Sequence, residues 1–577
     1  MKLIYLLLIL FFAANSIGYA QDIGSLKNQK PVSLHGNISA GLNYYTGFSD
    51  KSSSTSNPSF GHSPSYFLQA NPMLSLYGFS IPLNVMIASQ NKSFNTPFNR
   101  FGLSPYYKWA KLYLGWRSLN FSQFTLSGQQ MLGAGFELTP GKFRVAFMYG
   151  KFNNAVTDIS LYNNLNNNTP LYERKGFAAK IGYGSAANFI EFSYLQAKDD
   201  SNSLHGVSID TLLLKPAANQ VAGIKGKITL AQHLSVDADV AGSYYTRNIS
   251  EQRLNLGVPL KGLAAIAPRM TSQFAMAGEA NLRYAFQNGN ISAGYRRVDP
   301  GYNSMGTFYM QQDLEQYTAG LNMSFWKRRI YLQSRFGRQK NNLAHQAASN
   351  SSRTIGNASI IINPASNFGV DLQYSNYGIS QQIIPQLHDP TAVLRYDSVR
   401  ISQVNQSFSV SPHLLISGKS LQHSISIQAN LQSLKNFNEK LNGGDFTSRS
   451  ASLIYALLFP GKKINITNVF NYFNTAFAGN ETALMGYNLV LSKVLGRLPA
   501  DQRIFSSITL TLNGGYFMNH LNSASSGNTL MLNPSVTLAF LKRNSLQLMA
   551  NYTNNNRKNV AGGKQQLMLA TRYNLSF

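Results

Sequence analysis

The sequence predicts an all-β chain: a transmembrane, antiparallel, up-and-down β-barrel of about 26 strands, within a range of roughly 22–28. Three observations predict it. Apolar residues alternate with polar or small ones at period two from residue 31 to the end. Tight turn segments alternate with longer polar ones along the whole length. The chain opens with an export signal and afterwards has no apolar run as long as the roughly 18 residues a spanning helix needs.

The export signal is read from the first twenty residues. Met1-Lys2 is basic, Leu3 to Ala14 is an apolar stretch, and Gly18-Tyr19-Ala20 puts small residues where a signal peptidase cuts. Residues 1–20 are therefore expected to be a cleaved signal peptide. The apolar run is too short for an anchor helix of about 20 residues. Residues 21–30 are expected to be a short periplasmic segment and 31–577 the barrel, which leaves no room for an N-terminal plug domain such as a TonB-dependent transporter carries. The chain has no Cys. That removes disulfides, thiolate metal sites and a thioether lipid anchor.

Composition fits strands with one wet face. Charged residues make up 13% of the chain, against about 25% in a soluble domain. The 31 Tyr, 35 Phe and 45 Gly take their place, and mean hydropathy is only −0.16. A disordered chain would carry fewer aromatics. The 50 Lys and Arg against 23 Asp and Glu give a net charge of +27. No basic helix, zinc-finger spacing or RNA-binding signature accompanies that charge, so no nucleic-acid partner is expected. Anionic lipid headgroups or anionic solutes are the expected electrostatic partners.

The first strand alternates Leu34, Gly36, Ile38, Ala40, Leu42 and Tyr44 with His35, Asn37, Ser39, Gly41 and Asn43. Phe143, Val145, Phe147 and Tyr149 repeat the pattern, as do Leu530, Leu532, Val536, Leu538 and Phe540. Runs of this length suit tilted membrane strands of about 9–11 residues plus their ends. Tight connections fall at 139–142, 184–188, 287–290, 326–329, 363–366, 417–420, 460–463 and 542–544. Asn288-Gly289 suits a type I′ hairpin, whose central residues need positive φ. Longer polar connections fall between them, near 47–63, 153–172, 197–219, 248–270, 298–313, 340–352, 378–399 and 434–446. A strand is expected over 124–138, while alternation is blurred from 92 to 128. Short turns would face the periplasm with both termini, and long loops the outside. A ring this wide needs its pore narrowed by loops folded inward or by a partner.

Alternation also selects candidate lumen charges. Lys225 and Lys227 share the polar face of one strand, Asp237 and Asp239 that of the next, and Glu279 and Arg283 that of the following one. A turn at Ala231-Gln232-His233 sets Lys227 opposite Asp237 and Lys225 opposite Asp239. Opposite charges so placed stabilise a strand pair by about 0.2–1 kcal/mol. The patch reads either as wall-bracing ion pairs or as a solute-contact surface. Arg117, Glu137, Arg144, Lys180, Glu191, Arg296, Arg335, Asp371 and Arg572 are also expected inside, with His35, His413 and His423. Lys327, Arg328, Arg329, Lys419, Lys462, Lys463, Lys542 and Arg543 gather in tight turns, where anionic lipid or a periplasmic protein would meet them. Tyr44, Tyr45, Tyr106, Tyr107, Trp109, Trp116 and Trp326 suit interfacial aromatic girdles.

Catalytic and metal signatures are absent. There is no HExxH, P-loop, nucleophile elbow or dinucleotide fingerprint. No catalytic residue, metal or cofactor is assigned, and the chain is not expected to be an enzyme.

The chain ends in an alternating strand, Tyr573-Asn-Leu575-Ser-Phe577, closed by an aromatic residue. With the export signal, this resembles large bacterial outer-membrane β-barrel proteins of porin-like type. Gln21 and the Cys-free chain are similar to exported proteins of Bacteroidota. The resemblance implies a Gram-negative cell outer membrane. It implies Tyr573, Leu575 and Phe577 as the signal read by the barrel-assembly machinery, and outer-membrane lipid and lipopolysaccharide as surroundings. A solute pore or channel for transport is the leading expectation. A translocation or anchoring barrel with a surface or periplasmic protein partner is the first alternative, and a secreted soluble β-rich adhesin the second.

Overall fold

The computed structural model describes residues 31–49, 64–89, 100–156, 171–204, 214–231, 233–254, 266–344, 352–383, 399–436, 445–477, 479–495, 505–541, 543–557 and 564–577. Residues 1–20, expected to be a signal peptide, residues 21–30 and Lys542 lie outside them.

Period-two sequence becomes strand throughout, and no helix occurs among the described residues. The strands in chain order are β1 (Val32–His35, then Asn37–Ser49), β2 (Ser65–Ala70, then Met73–Leu76), β3 (Phe79–Ala88), β4 (Arg100–Leu103, then Tyr106–Tyr107), β5 (Ala110–Arg117), β6 (Met131–Leu138), β7 (Phe143–Asn153), β8 (Arg174–Gly184) and β9 (Phe189–Asp199). Next are β10 (Ala218–Leu230), β11 (Leu234–Thr246), β12 (Ser272–Phe286), β13 (Gly289–Val298), β14 (Leu314–Phe325), β15 (Ile330–Asn341), β16 (Ser352–Ala365), β17 (Phe368–Ile383) and β18 (Val399–Ser417). The last are β19 (Gln422–Asn436), β20 (Phe446–Phe459), β21 (Ile464–Phe477), β22 (Asn480–Leu495), β23 (Phe505–Leu521), β24 (Ala524–Phe540), β25 (Asn544–Arg557) and β26 (Lys564–Ser576).

This gives 26 strands in one antiparallel sheet. Breaks in β2 and β4 fall at Pro72 and Pro105, which have no N–H for the ladder. The break in β1 falls at Gly36, whose backbone N–H and carbonyl pair instead with Phe577. The sheet closes on itself: β1 pairs with β26 from Asn37↔Ser576 to Ser49↔Lys564. Closure leaves no edge, so ring neighbours satisfy backbone polar groups that hydrocarbon could not.

One face of the ring is apolar and open. Leu42, Tyr149, Ile181, Phe192, Ile224, Phe470, Leu512 and Leu569 stand exposed on the outside. Such a continuous apolar exterior fits a lipid environment. Trp109 and Trp326 are exposed near the end of the ring that carries the termini, and Arg329 stacks over Trp326 at 5.7 Å. Trp116 differs from its girdle expectation: it is buried. His423 also differs. It shares the outward face of Ile427 and hydrogen-bonds the Tyr455 hydroxyl at 2.9 Å.

Two expectations about connections need correction. Strand β6 begins at Met131 rather than 124, because the preceding residues turn into the barrel. The short–long alternation also breaks late in the chain. At the end opposite the termini, β23 and β24 are joined only by Asn522-Ser523, both at positive φ as a tight hairpin requires.

Candidate functional site

The lumen is lined by two kinds of wall. From β7 to β13 the inward registers are charged toward the termini end and small or apolar toward the other. Ladder pairing lines up Met148, Ala178 and Leu195, then Val221, across four neighbouring strands. Ala241 pairs with Ala277, and Ala277 with Val298. These residues are buried although they face inward. A wholly wet interior, with greasy residues only outside, is therefore not what the molecule has.

Two connections cover the apolar patch. Residues 118–130, after β5, fold in with Leu119, Phe121, Phe124 and Leu126. Residues 299–313, after β13, bring Tyr302 and Met305. Phe124, Leu126 and Tyr302 are fully buried. Removing such side chains from water stabilises by about 1.5–3 kcal/mol each. Phe124 and Tyr302 meet edge to face at 6.3 Å, and the Tyr302 hydroxyl donates to the Phe124 carbonyl at 2.8 Å. Burial, with Asp239 nearby, pushes the Tyr302 phenol well above its ordinary pKa, so it stays a donor. Ser304 Oγ donates to the Thr125 carbonyl at 2.6 Å, and Phe308 N to the Ser127 carbonyl at 3.2 Å. Asn219 on the wall accepts from Met305 N at 3.0 Å and donates to the Asn303 carbonyl at 3.1 Å.

Close approach needs missing Cβ atoms at two places. A Cβ on Gly306 would lie 2.5 Å from the Thr125 carbonyl oxygen and from Leu195 Cδ1. One on wall residue Gly223 would lie 2.9 Å from Thr125 Cγ2.

The expected charge patch lies beneath this cover. Pairing sets Lys225 opposite Asp239 and Lys227 opposite Asp237, and continues from Asp239 to Glu279. Facing registers do not become contacts here. No Lys–Asp pair of the four comes within the 4.0 Å of an ion pair. The carboxylates are instead taken by the infolded segment and by amides. Ser122 Oγ donates to Asp239 at 2.7 Å and Gln123 Nε2 to Glu279 at 2.8 Å. Asn281 donates to Asp237 at 3.0 Å and to Glu279 at 2.9 Å. Arg296 lies 3.7 Å from Glu279 and 5.5 Å from the centre of the Phe124 ring. Arg283 stands apart, exposed, opposite Ser235 and Ser292. Other expected lumen charges cluster nearby: Glu191 takes Arg144 at 2.9 Å and Lys180 at 3.7 Å. Tyr113 donates to Glu137 at 2.8 Å, and Arg335 donates to Thr318 at 3.1 Å.

Beside the cover lie two polar recesses. One, of about 510 Å³, is lined by Gln123, Glu279, Arg296, Gln311, Arg335, Gln339 and Asn376, among others. The other, of about 560 Å³, is lined by Arg100, Gln130, Asn153, Arg174, Asn303 and Phe308, among others. Among the described residues no cluster of three or more His, Asp or Glu could hold a metal.

The second wall is simpler. From β17 to β21 the inward registers carry Gln373, Ser375, Ser407, Ser409, Asn430, Ser450, Ser452 and Asn471. They bond one another across strands: Ser375 with Ser407 at 2.7 Å, and Ser452 with Asn471 at 2.8 Å.

At the seam, Thr571, Tyr573 and Leu575 share one face of β26 with exposed Leu569, and the Tyr573 hydroxyl donates to Asn544 at 2.6 Å. Phe577 exchanges backbone hydrogen bonds with Gly36 at 2.9 and 3.0 Å.

Loops folded inward were expected from the width of the ring, but the sequence did not single out 118–130 and 299–313 as the segments that do so. Their traces are the blurred alternation before Met131 and Ala or Gly at inward registers of successive strands.

No protein-family model and no curated protein matches the chain. Solved structures do. The P pilus usher PapC translocation pore matches at 11% identity and TM-score 0.36, covering 94% of this chain and 99% of its own. The FrpB iron transporter of Neisseria meningitidis matches at 10% identity and TM-score 0.36, covering 96% and 84%. The anion-selective porin from Comamonas acidovorans matches at 10% identity and TM-score 0.27, covering 68% and 96%. The protein is a large closed barrel of outer-membrane type. That statement rests on the closed ladder and apolar exterior described above.

Proposed function

We propose that the protein is an integral outer-membrane barrel that works as a pore for hydrophilic solutes, narrowed from one wall by residues 118–130 and 299–313. The supporting observation is a closed ring whose outside is apolar while its bare inner wall is Ser, Asn and Gln. Water and solutes meet hydrogen-bonding groups along that wall, and lipid meets the other face. The end carrying the termini faces the periplasm in this reading, and residues 1–20 are removed on export. Tyr573, Leu575 and Phe577 serve as the assembly signal. Purified protein whose gel mobility shifts on heating is reconstituted in planar bilayers. Stepwise conductance is expected; folded protein that leaves bilayers silent removes the pore reading.

A second reading is a translocation or anchoring barrel with a periplasmic or surface partner. It is favoured by the basic tight turns at the terminus-bearing end, Lys327, Arg328, Arg329, Lys419, Lys462, Lys463 and Arg543. Neutralising those turns would then release a co-purifying protein. Recovery from the soluble secreted fraction without detergent would instead favour an adhesin.

A further inference from the structure

We propose that Arg283 and Arg335, above a floor of Ser292, Gly294 and Gly320, bind an oxyanion: the carboxylate or phosphate group of a solute in the lumen. The proposal rests on the pore reading and names the solute class.

Charge at the inward registers of β10 to β15 does not balance. The carboxylates there are Asp237, Asp239 and Glu279, and the cations are Lys225, Lys227, Arg283, Arg296 and Arg335. Pairing sets Lys225 opposite Asp239, Lys227 opposite Asp237 and Arg296 opposite Glu279. A cation and a carboxylate one strand apart, about 5 Å, largely cancel for a solute further off. Arg283 and Arg335 are left over. Both are exposed, and neither has a carboxylate within 4.0 Å among the described residues.

The two arginines share one row of the ladder. Arg283 on β12 pairs with Ser292, Ser292 with Gly320, and Gly320 with Arg335 on β15. Three strand spacings, about 14 Å, separate their backbones. The Arg335 side chain leans across much of that distance. It donates to Thr318 Oγ1 on β14 at 3.1 Å, and its Nη2 reaches Asn281 Oδ1 on β12 at 3.5 Å. Asn281 is the inward residue next to Arg283 on that strand. The way is open because Gly294 on β13 has no side chain: a Cβ there would lie 3.1 Å from Arg335 Nη2.

Asn281 also sorts the charges. Its Nδ2 donates to Asp237 and to Glu279, and its Oδ1 accepts from Arg335. The carboxylates meet the nitrogen end of the amide and the arginine its oxygen end. Glu279 lines the same recess as Arg335, but it already takes Gln123, Asn281 and Arg296.

Like charges gathered on one face without a counter-ion repel. The Arg335 Nη1 and the whole Arg283 guanidinium make no hydrogen bond among the described residues. Their N–H forks match the paired oxygens of a carboxylate or phosphate. Such a group removes the repulsion and takes the open donors at once. A cation is repelled by both arginines, and a neutral polyol leaves both charges uncompensated.

The test uses the full barrel in planar bilayers and, separately, calorimetry in detergent. Citrate and tripolyphosphate are the probes, with sucrose as the neutral control. Under a KCl gradient the reversal potential should show anion preference. At least one probe should reduce the current in a saturable way and give binding heat, with sucrose doing neither. Arg283→Gln with Arg335→Gln should weaken that binding by about tenfold or more. Arg283→Gln alone, at a side chain with no hydrogen bond to lose, should weaken it by about threefold or more, and it carries the comparison if the double variant does not fold. Arg572→Gln removes an equal charge from an exposed inward register of β26, on another stretch of wall. It should leave binding within about twofold. Heat-modifiable mobility verifies that each variant folds. An open channel that neither probe blocks or binds overturns the proposal, as does binding insensitive to the Arg283 and Arg335 variants. Equal loss in Arg572→Gln also overturns it, because lumen charge in general would then be responsible. Silent bilayers sink the pore reading instead, and calorimetry then still decides binding.

Discussion

The wall from β7 to β13 and the wall from β17 to β21 share one backbone pattern, yet they face the lumen differently. The first has Ala, Gly, Leu and Val at inward registers near one end and is clothed by two infolded segments. The second has Ser, Asn and Gln and stands bare. The difference shows what an inward side chain must do in a wide barrel. Where water reaches it, a short polar group bonded to its cross-strand neighbour suffices. Where it is apolar, another part of the chain must cover it, and close approach then demands small residues such as Gly223 and Gly306.

The comparison breaks first if the cover can be removed without consequence. Phe124→Ala should weaken docking of residues 118–130 by about 3–5 kcal/mol, the range for truncating a buried aromatic. The chain has no Cys, so a single Gln129→Cys reports docking by thiol labelling. Labelling should accelerate in the Phe124 variant and conductance should rise. Unchanged labelling would mean the apolar patch does not hold the cover.

Gly306→Val comes next. Its side chain would enter the space of Thr125 and Leu195, and overpacking of this kind costs about 1–3 kcal/mol. Hydrogen exchange should speed up across both infolded segments. Asp239→Ala strands the Ser122 hydroxyl, a loss of about 1–3 kcal/mol for an unsatisfied buried group. Exchange should rise at 121–125 more than at 302–306, which separates polar anchoring from apolar.

A pH test addresses the rim of the same wall. Lys151 at 2.6 Å and Lys175 at 2.7 Å hold the Glu173 carboxyl below the ordinary carboxylate range. A lowered pKa means the contribution is full above the unfolded value, about 4.3 for Glu, and is lost as pH falls through the folded value. Exchange at residues 171–175 should therefore rise on acidification, and Glu173→Gln should abolish that dependence. The smallest effect belongs to the bare wall: Ser450→Ala should shift stability by no more than about 0.5 kcal/mol. A larger loss there would mean the polar ladder is as structural as the clothed patch.

Much was legible in sequence order. Alternation located nearly every strand, because a one-residue slip would turn Ile224 and Val240 inward and Lys225 and Asp239 into lipid. The turn at 231–233 by itself sets the Lys225↔Asp239 register. Facing registers did not make ion pairs, because the competing donors Ser122 and Gln123 come from more than a hundred residues away. The apparent strand over 124–130 misled for a related reason. Phe124 and Leu126 alternate like strand residues, but their apolar side chains meet the inside of the ring.

Sequence alone therefore determined the strands, their faces and closure without helices, because period two and turn chemistry are local and, with no apolar run long enough for a spanning helix, a closed ring is the remaining way to pair the backbone in lipid. Tertiary structure alone decided which inward residues are wet and which are covered. That depends on whether distant segments such as 118–130 and 299–313 return to the same stretch of wall, and no local pattern encodes where a loop comes to rest.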